Sequence, residues 1–308
     1  MIMSDSFKHY KSKLLHKYFD WDVKDALKIK PLDRQSNIKS GLCVLSMLCK
    51  RDFYQYIVSI YSFTQLLNPE KIVVVNDGSL TQEHLDILLT MIPDLTVLNG
   101  TDYIDERVPT YTSWRRMLAL ESYIESYYVV QLDADLISRY DLSEIEQAYS
   151  ENRSFILGTE IKERWTIEDA QERARARKNP NNKHVQQLAE ENLESLKAIN
   201  YKYYVRGCAG FAGYAKGSFS IDTLIDISNC MFGSIGDTWR NWGSEQTAAN
   251  ILIANQPSSI ILPLELYGSV ARYDEKLKLI HFLGTWRFDG FLYNKIAKEF
   301  IGKQLTIT

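Results

Sequence analysis

The chain lacks a cysteine framework, a basic excess and a long apolar run, and each absence removes a class of protein. Its four cysteines, Cys43, Cys49, Cys208 and Cys230, show no C-x-x-C spacing. Two of them sit in or beside an apolar strand pattern, so they read as reduced core residues of an intracellular protein rather than a zinc site or a set of disulfides. A formal charge of -3 argues against nucleic acid as a partner, because a general nucleic-acid binder carries a strongly basic face. No stretch reaches the roughly 18 apolar residues that span a bilayer, and Met1 to Lys13 is polar, without the apolar segment of a signal peptide. Cytoplasmic placement is therefore the expectation. The sequence also has no G-x-x-x-x-G-K-[ST] and no G-x-G-x-x-G after its first strand pattern, which disfavours P-loop phosphoryl transfer and a dinucleotide fold.

What is present suits an elaborated α/β domain. The 308 residues are 45% hydrophobic and 12% aromatic, enough for a sizeable core. Residues 1–40 form a lead-in: a polar, helix-capable stretch from Ser4 to about Lys30, then a loop from Pro31 to Ser40. From Gly41 a βα alternation begins. Leu42 to Leu48 reads as a buried strand, Phe53 to Leu67 as a helix closed by Asn68-Pro69, Ile72 to Val75 as a second strand and Leu85 to Ile92 as a second helix. Leu95 to Leu98, Ser113 to Ser126 and Tyr128 to Leu132 continue the series. Such alternation implies a mostly parallel sheet with right-handed crossovers, whose ligands gather at the carboxyl ends of the strands.

The run from Tyr127 to Asp135 is the most telling, because an apolar strand delivers Asp133 and Asp135 to its own end. If the extended conformation persists past Leu132, both carboxylates point the same way across Ala134. Two hard oxygen ligands suit Mn²⁺ or Mg²⁺, which keep positions for water and substrate phosphates. The bland alternative is a strand end with turn-forming aspartates. Asn76-Asp77-Gly78-Ser79 is likewise a turn signal, yet an Asp at the end of the second strand of a nucleotide-binding sheet can accept a hydrogen bond from a base edge.

Farther along, about 161–200 is a charged stretch, with Arg173, Arg175, Arg177, Glu190, Glu191 and Glu194, divided by Asn179-Pro180-Asn181-Asn182. It reads as two solvent-facing helices, either padding the fold or serving as an acceptor-side lid or a subunit contact in a homo-oligomer. The glycines around Gly210 permit close approach of the backbone to a ligand or tight packing of a buried strand. Ser244 can N-cap the helix that follows it, with Glu245 in the first turn, where the helix dipole favours negative charge. His281 follows the apolar Leu277 to Ile280. An imidazole is a frequent third ligand beside two carboxylates, and Gly284 with Arg287 can serve a diphosphate. The tail, 291–308, is amphipathic, with Leu292, Ile296, Phe300 and Ile301 among Lys295, Lys298 and Lys303. Packing on its own domain and peripheral contact with an anionic membrane are its two readings.

Taken in order, Asn76-Asp77-Gly78-Ser79, Arg116, Leu132-Asp133-Ala134-Asp135, the Gly210 segment, Glu245-Gln246 and His281-Phe282-x-Gly284 resemble a GT-A-fold glycosyltransferase. The last element is most similar to the retaining, glycogenin/galactosyltransferase-like family 8, whose members carry H-F-x-G-x-x-K-P-W. The resemblance covers about 41–290 outside the charged insert. It implies a Rossmann-like, mostly parallel sheet and transfer of a hexose from a nucleotide-sugar, foremost a UDP-sugar. The acceptor would be a glycan, lipid-linked or protein hydroxyl. It also implies Asp133, Asp135 and His281 on Mn²⁺, Asp77 near the nucleotide base, and Arg116 and Arg287 around the diphosphate. Glu245 and Gln246 would then position or stabilise the reacting sugar. Departures stand beside it: Arg287-Phe288-Asp289 replaces Lys-Pro-Trp, Cys208-Ala209-Gly210 replaces Asn-x-Gly, and Asn-Asp-Gly-Ser is closer to the inverting family 2. In an inverting enzyme Glu245 or Asp237 would be the general base. A sugar-nucleotide nucleotidyltransferase and a non-catalytic nucleotide-sugar-binding scaffold are the remaining alternatives.

Overall fold

The lead-in is helical, α1 (Asp5–Asp22), and after it strand and helix alternate as β1 (Lys39–Leu48), α2 (Phe53–Thr64), β2 (Pro69–Asn76), α3 (Gln82–Met91), β3 (Thr96–Asn99), α4 (Thr112–Ile124) and β4 (Tyr128–Leu132). This computed structural model describes residues 5–159, 163–177, 184–284 and 287–306, with side chains from residue 10 onward. Strand β1 is parallel to β2 and β4, and β2 to β3. Its alternating side chains enter two separate cores, Leu42, Val44 and Leu48 on the α2 face and Cys43 and Leu45 on the α4 face. A strand buried on both faces needs an almost continuous apolar run, which is what the sequence has there.

Past β4 the regular alternation stops. The chain forms β5 (Leu136–Ser138), α5 (Ser143–Ser150), β6 (Phe155–Leu157), β7 (Trp165–Thr166), α6 (Ile167–Ala176), α7 (Val185–Glu191), β8 (Tyr203–Tyr204) and β9 (Cys208–Tyr214). It continues through α8 (Ile221–Ile235), α9 (Ser244–Ala254), β10 (Ile260–Leu262), β11 (Tyr267–Ser269), β12 (Leu279–His281) and α10 (Leu292–Thr306). The central sheet runs β10-β6-β9-β4-β1-β2-β3, and β9 is antiparallel to both neighbours. A small sheet, β11-β12-β5, stands beside it, with β12 antiparallel to β5; β7 and β8 form a separate antiparallel pair.

One expectation needs correction here, and one open choice is narrowed. The insert is not a pair of solvent-facing helices. Ala170, Ala174, Val185, Ala189, Leu193 and Leu196 are buried in the core on the α4 face, and Glu190 is completely buried with them. The divider Asn179-Pro180-Asn181-Asn182 lies outside the described residues. In the tail helix α10, Ile296, Ala297 and Ile301 are buried in the chain's own core, with Leu292 and Phe300 packed against it. Its apolar face thus packs on α1 and α2, the first of the two readings of the tail. No helix among the described residues is long and apolar enough to cross one.

Candidate metal and diphosphate site

Two antiparallel ladders end in the two carboxylates. The β4–β9 ladder extends one step beyond the strand, where Asp133 N–H donates to Gly210 O at 2.9 Å. The β5–β12 ladder does the same from the other side, with Phe282 N–H donating to Asp135 O at 2.9 Å. Between them, Ala134 and Asp135 form a turn, so the carboxylates do not share a face of one extended strand as anticipated. The turn passes the chain from one sheet to the other, and Ser59 Oγ of α2 pins it by donating to Asp133 O at 3.0 Å.

The register of β12 opposite β5 places His281 across from Leu136, and its Nε2 lies 3.0 Å from Asp135 Oδ1 and 4.0 Å from Asp133 Oδ2. One ligand atom from each of Asp133, Asp135 and His281 falls within 4.8 Å of the others. Gly210 is required by this convergence. A Cβ there would sit 2.3 Å from His281 Cε1 and 2.8 Å from Asp133 Oδ2. The glycine thus serves close approach between protein groups, the tight-packing reading of the two that the sequence left open.

Two cations complete the cluster. Arg116 of α4 hydrogen bonds to Asp133 Oδ1, and Arg287 Nη1 lies 2.9 Å from Asp135 Oδ2. Burial pushes the Asp133 carboxyl above its ordinary range, with Asp135 adding to the effect and Arg116 opposing it. Burial also opposes ionisation of Asp135, but His281 and Arg287 outweigh it and hold this carboxyl low. Burial favours a neutral His281 imidazole, yet Asp135 at its side raises the pKa well above normal. The cluster therefore holds charge at Asp135 and is reluctant to hold it at Asp133 unless more positive charge arrives. Two hard oxygens and one imidazole fit Mn²⁺ or Mg²⁺.

Other anticipated residues are placed as follows. Asp77 closes its own turn at the carboxyl end of β2, its Oδ1 accepting from Ser79 N and Oγ at 2.8 and 2.6 Å. Glu245 is buried at the start of α9, where Tyr111 donates to its Oε2 and Gly243 N–H does so at 3.1 Å. The N-cap of this helix is Gly243 in the left-handed region, not Ser244. Ser244 lies inside the first turn and accepts from Trp114 Nε1 at 2.8 Å, because a buried indole N–H needs a partner. Gln246 reaches back to the insert, Nε2 donating to Gln186 Oε1 at 3.4 Å. Asp237 does not join the site. Its side chain is 96% exposed and pairs with Arg240, so it faces solvent rather than the carboxylates. Gly284 turns with φ +81° and accepts from Arg287 Nε at 3.1 Å; Thr285 and Trp286 between them lie outside the described residues.

Two contacts were not anticipated. Cys208 Sγ lies 3.7 Å from His281 Nδ1, and Gln55 of α2 touches Arg287. Cys208 stands where the family 8 pattern has Asn, and that departure was the one signal in the sequence that could have drawn attention to it.

No protein-family model matches the sequence, and no curated protein matches it either. Solved structures do. An active-site mutant of LgtC superposes with a TM-score of 0.54 at 12% identity, over 86% of this chain and 97% of that one. Galactosyltransferase LgtC in complex with donor and acceptor sugar analogs gives 0.49 at 12% identity over 86% and 97%. The bifunctional glycosyltransferase WbbM gives 0.48 at 13%, over 87% of this chain and 53% of that one. The fold assignment rests on the first of these: the chain has the GT-A fold of glycosyltransferases.

Proposed function

We propose that the protein is a metal-dependent glycosyltransferase that moves a hexose from a nucleotide-sugar, foremost a UDP-sugar, to an acceptor hydroxyl with retention of configuration. The observation that carries this reading is the convergence of Asp133 and Asp135, on the turn after β4, with His281, at the end of β12, at the carboxyl edge of the sheet. These three residues would hold Mn²⁺ or Mg²⁺, which supplies Lewis-acid stabilisation of a diphosphate leaving group.

The chain's own residues do the rest. Arg287 supplies planar donors for phosphate oxygens, which suit it better than a lysine where two oxygens are to be bridged. Arg116, buried behind Asp133, orients that carboxylate and opposes the burial that disfavours its ionisation. Asp77, whose Oδ2 accepts no hydrogen bond among the described residues, takes the nucleotide base edge. Glu245 is held through Oε2 by Tyr111 and Gly243, which leaves Oε1 to bind or stabilise the transferring sugar; Gln246 stands next to it on α9.

A panel of UDP-, GDP-, ADP- and TDP-sugars, with and without Mn²⁺, tests the reading through donor hydrolysis or thermal protection. Mn²⁺-dependent turnover of one donor is the expected result. Silence across the panel would instead favour a non-catalytic scaffold. The anomeric configuration of the product, read by NMR, decides retention.

A further inference from the structure

Helix α1 lies outside the nucleotide-binding sheet, yet it is seated on the segment that carries Arg287. Lys11 Nζ donates to Asp289 Oδ1 at 2.7 Å. The His16 and Phe19 rings lie 4.9 and 5.2 Å from that of Phe288, and Phe19 also lies 4.3 Å from Tyr293.

Gln55 makes the connection to the site itself. It is completely buried in the first turn of α2. A primary amide has two N–H donors and one carbonyl acceptor. Here Nε2 lies 2.9 Å from Asp52 Oδ1 and 3.2 Å from His16 Nε2, so the carboxylate and the imidazole take one N–H each. Oε1 is thereby turned toward Arg287, which donates from Nη1 at 3.4 Å. The same Nη1 lies 2.9 Å from Asp135 Oδ2. Flipping the amide would set its carbonyl against the Asp52 carboxylate and its N–H groups against a guanidinium, so both ends would repel. Burial lowers the His16 pKa and so favours the neutral ring, against Asp52 and a hydrogen bond with the Arg51 backbone, which raise it. A neutral ring protonated on Nδ1 has Nε2 free to accept, as Gln55 needs.

We propose that His16 and Gln55 are positioning residues for Arg287: α1 sets the Gln55 amide, and the amide holds the guanidinium where a diphosphate is to be met. This rests on the metal-and-diphosphate reading above. Its consequence is specific, because loss of the relay weakens the anion's partner without removing a metal ligand.

The test uses the full chain and the variants His16→Leu, His16→Gln, Gln55→Leu and Lys298→Ala. Lys298→Ala removes the 2.8 Å ion pair between α10 and Asp22 of α1, loosening the helix without touching the relay. Mn²⁺ affinity is read by electron paramagnetic resonance, and binding of UDP and of inorganic pyrophosphate in Mn²⁺ by calorimetry. His16→Leu and Gln55→Leu are expected to weaken both anions about tenfold, the size of one hydrogen bond to a charged group. Mn²⁺ affinity is unchanged and, for the donor the wild type turns over, KM rises while kcat holds. His16→Gln, which offers its own acceptor, restores most of the loss; Lys298→Ala loses nothing. Wild-type affinity in His16→Leu, or an equal loss in Lys298→Ala, would overturn the assignment. If the wild-type protein binds neither UDP nor pyrophosphate, the functional reading itself falls and takes this proposal with it.

Discussion

The protein buries two clusters of opposite charges, and they are built on different plans. In the insert, Glu190 is fully enclosed: Tyr204 and Gln186 donate to its Oε1 at 2.8 and 3.1 Å, while Arg177 and Arg206 pair with Oε2. One carboxylate meets two cations, both carboxylate oxygens are satisfied, and the cationic ends reach solvent. At the turn of Asp133 and Asp135, two carboxylates and an imidazole crowd together instead, with a glycine where a side chain would separate them. Arg116 and Arg287 come from behind and beside, and Asp133 stays 29% exposed. The first arrangement is complete as it stands and serves structure. The second gathers two carboxylates and an imidazole whose ligand atoms lie within 4.8 Å of one another, which is the donor set a divalent cation takes.

This contrast can be broken first at Asp135. Asp135→Ala is expected to lower metal-dependent turnover by more than about 100-fold, comparable to losing a central electrostatic stabiliser, while circular dichroism shows the fold intact; retained turnover would end the metal assignment. Glu190→Ala is the mirror experiment. Removing one member of a buried ion cluster costs about 3 kcal/mol or more, so Tm should fall by roughly 6 °C with Mn²⁺ affinity unchanged. A variant that lost Mn²⁺ binding instead would tie the insert to the site. Gly210→Ala sharpens the crowding argument: its methyl group must displace His281 or Asp133, and Mn²⁺ affinity should drop about 10-fold, as for other changes that disturb ligand orientation. Unchanged affinity would mean that the site has more room than the distances allow.

The smallest effect is at a half-buried carboxylate, Asp20, which has neither plan. Its Oδ1 is buried without a hydrogen-bond partner, and the nearest opposite charge is absent because His16, 3.6 Å away, is held neutral. Burial, with Asp52 nearby, raises its pKa to about 7. A raised carboxyl pKa means that the folded state holds its proton longer than the unfolded one. The associated stability is therefore full below the unfolded value near 3.8 and is lost as pH rises through about 7. Asp20→Asn should match the wild type at pH 4 and exceed its Tm at pH 8, by roughly 2 °C. Equal Tm values at both pH values would show that the carboxyl is solvated after all.

Much of this is legible in the sequence. The βα alternation appeared because strands buried on both faces need continuous apolar runs, and Leu42 to Leu48 and Tyr128 to Leu132 have them. Asp133, Asp135 and His281 stood out as residue types with one shared chemistry. Other features were hidden because charge in a sequence does not report its surroundings. Glu190 looked solvated until Tyr204 and Arg206, from distant segments, were seen to enclose it. The tail's pattern left domain packing and membrane contact both open, and Ile296 and Ile301 face the core.

The sequence by itself determined the class of fold and the kind of ligand its acidic strand end could serve, since periodicity and residue chemistry are local properties. Only the tertiary structure decided that the carboxylates sit on a turn between two sheets, that Gly210 makes room for His281, and that α1 reaches Arg287 through Gln55. Those are contacts across 39 to 232 positions of chain, and strand register and helix packing, not local pattern, bring them within hydrogen-bonding distance.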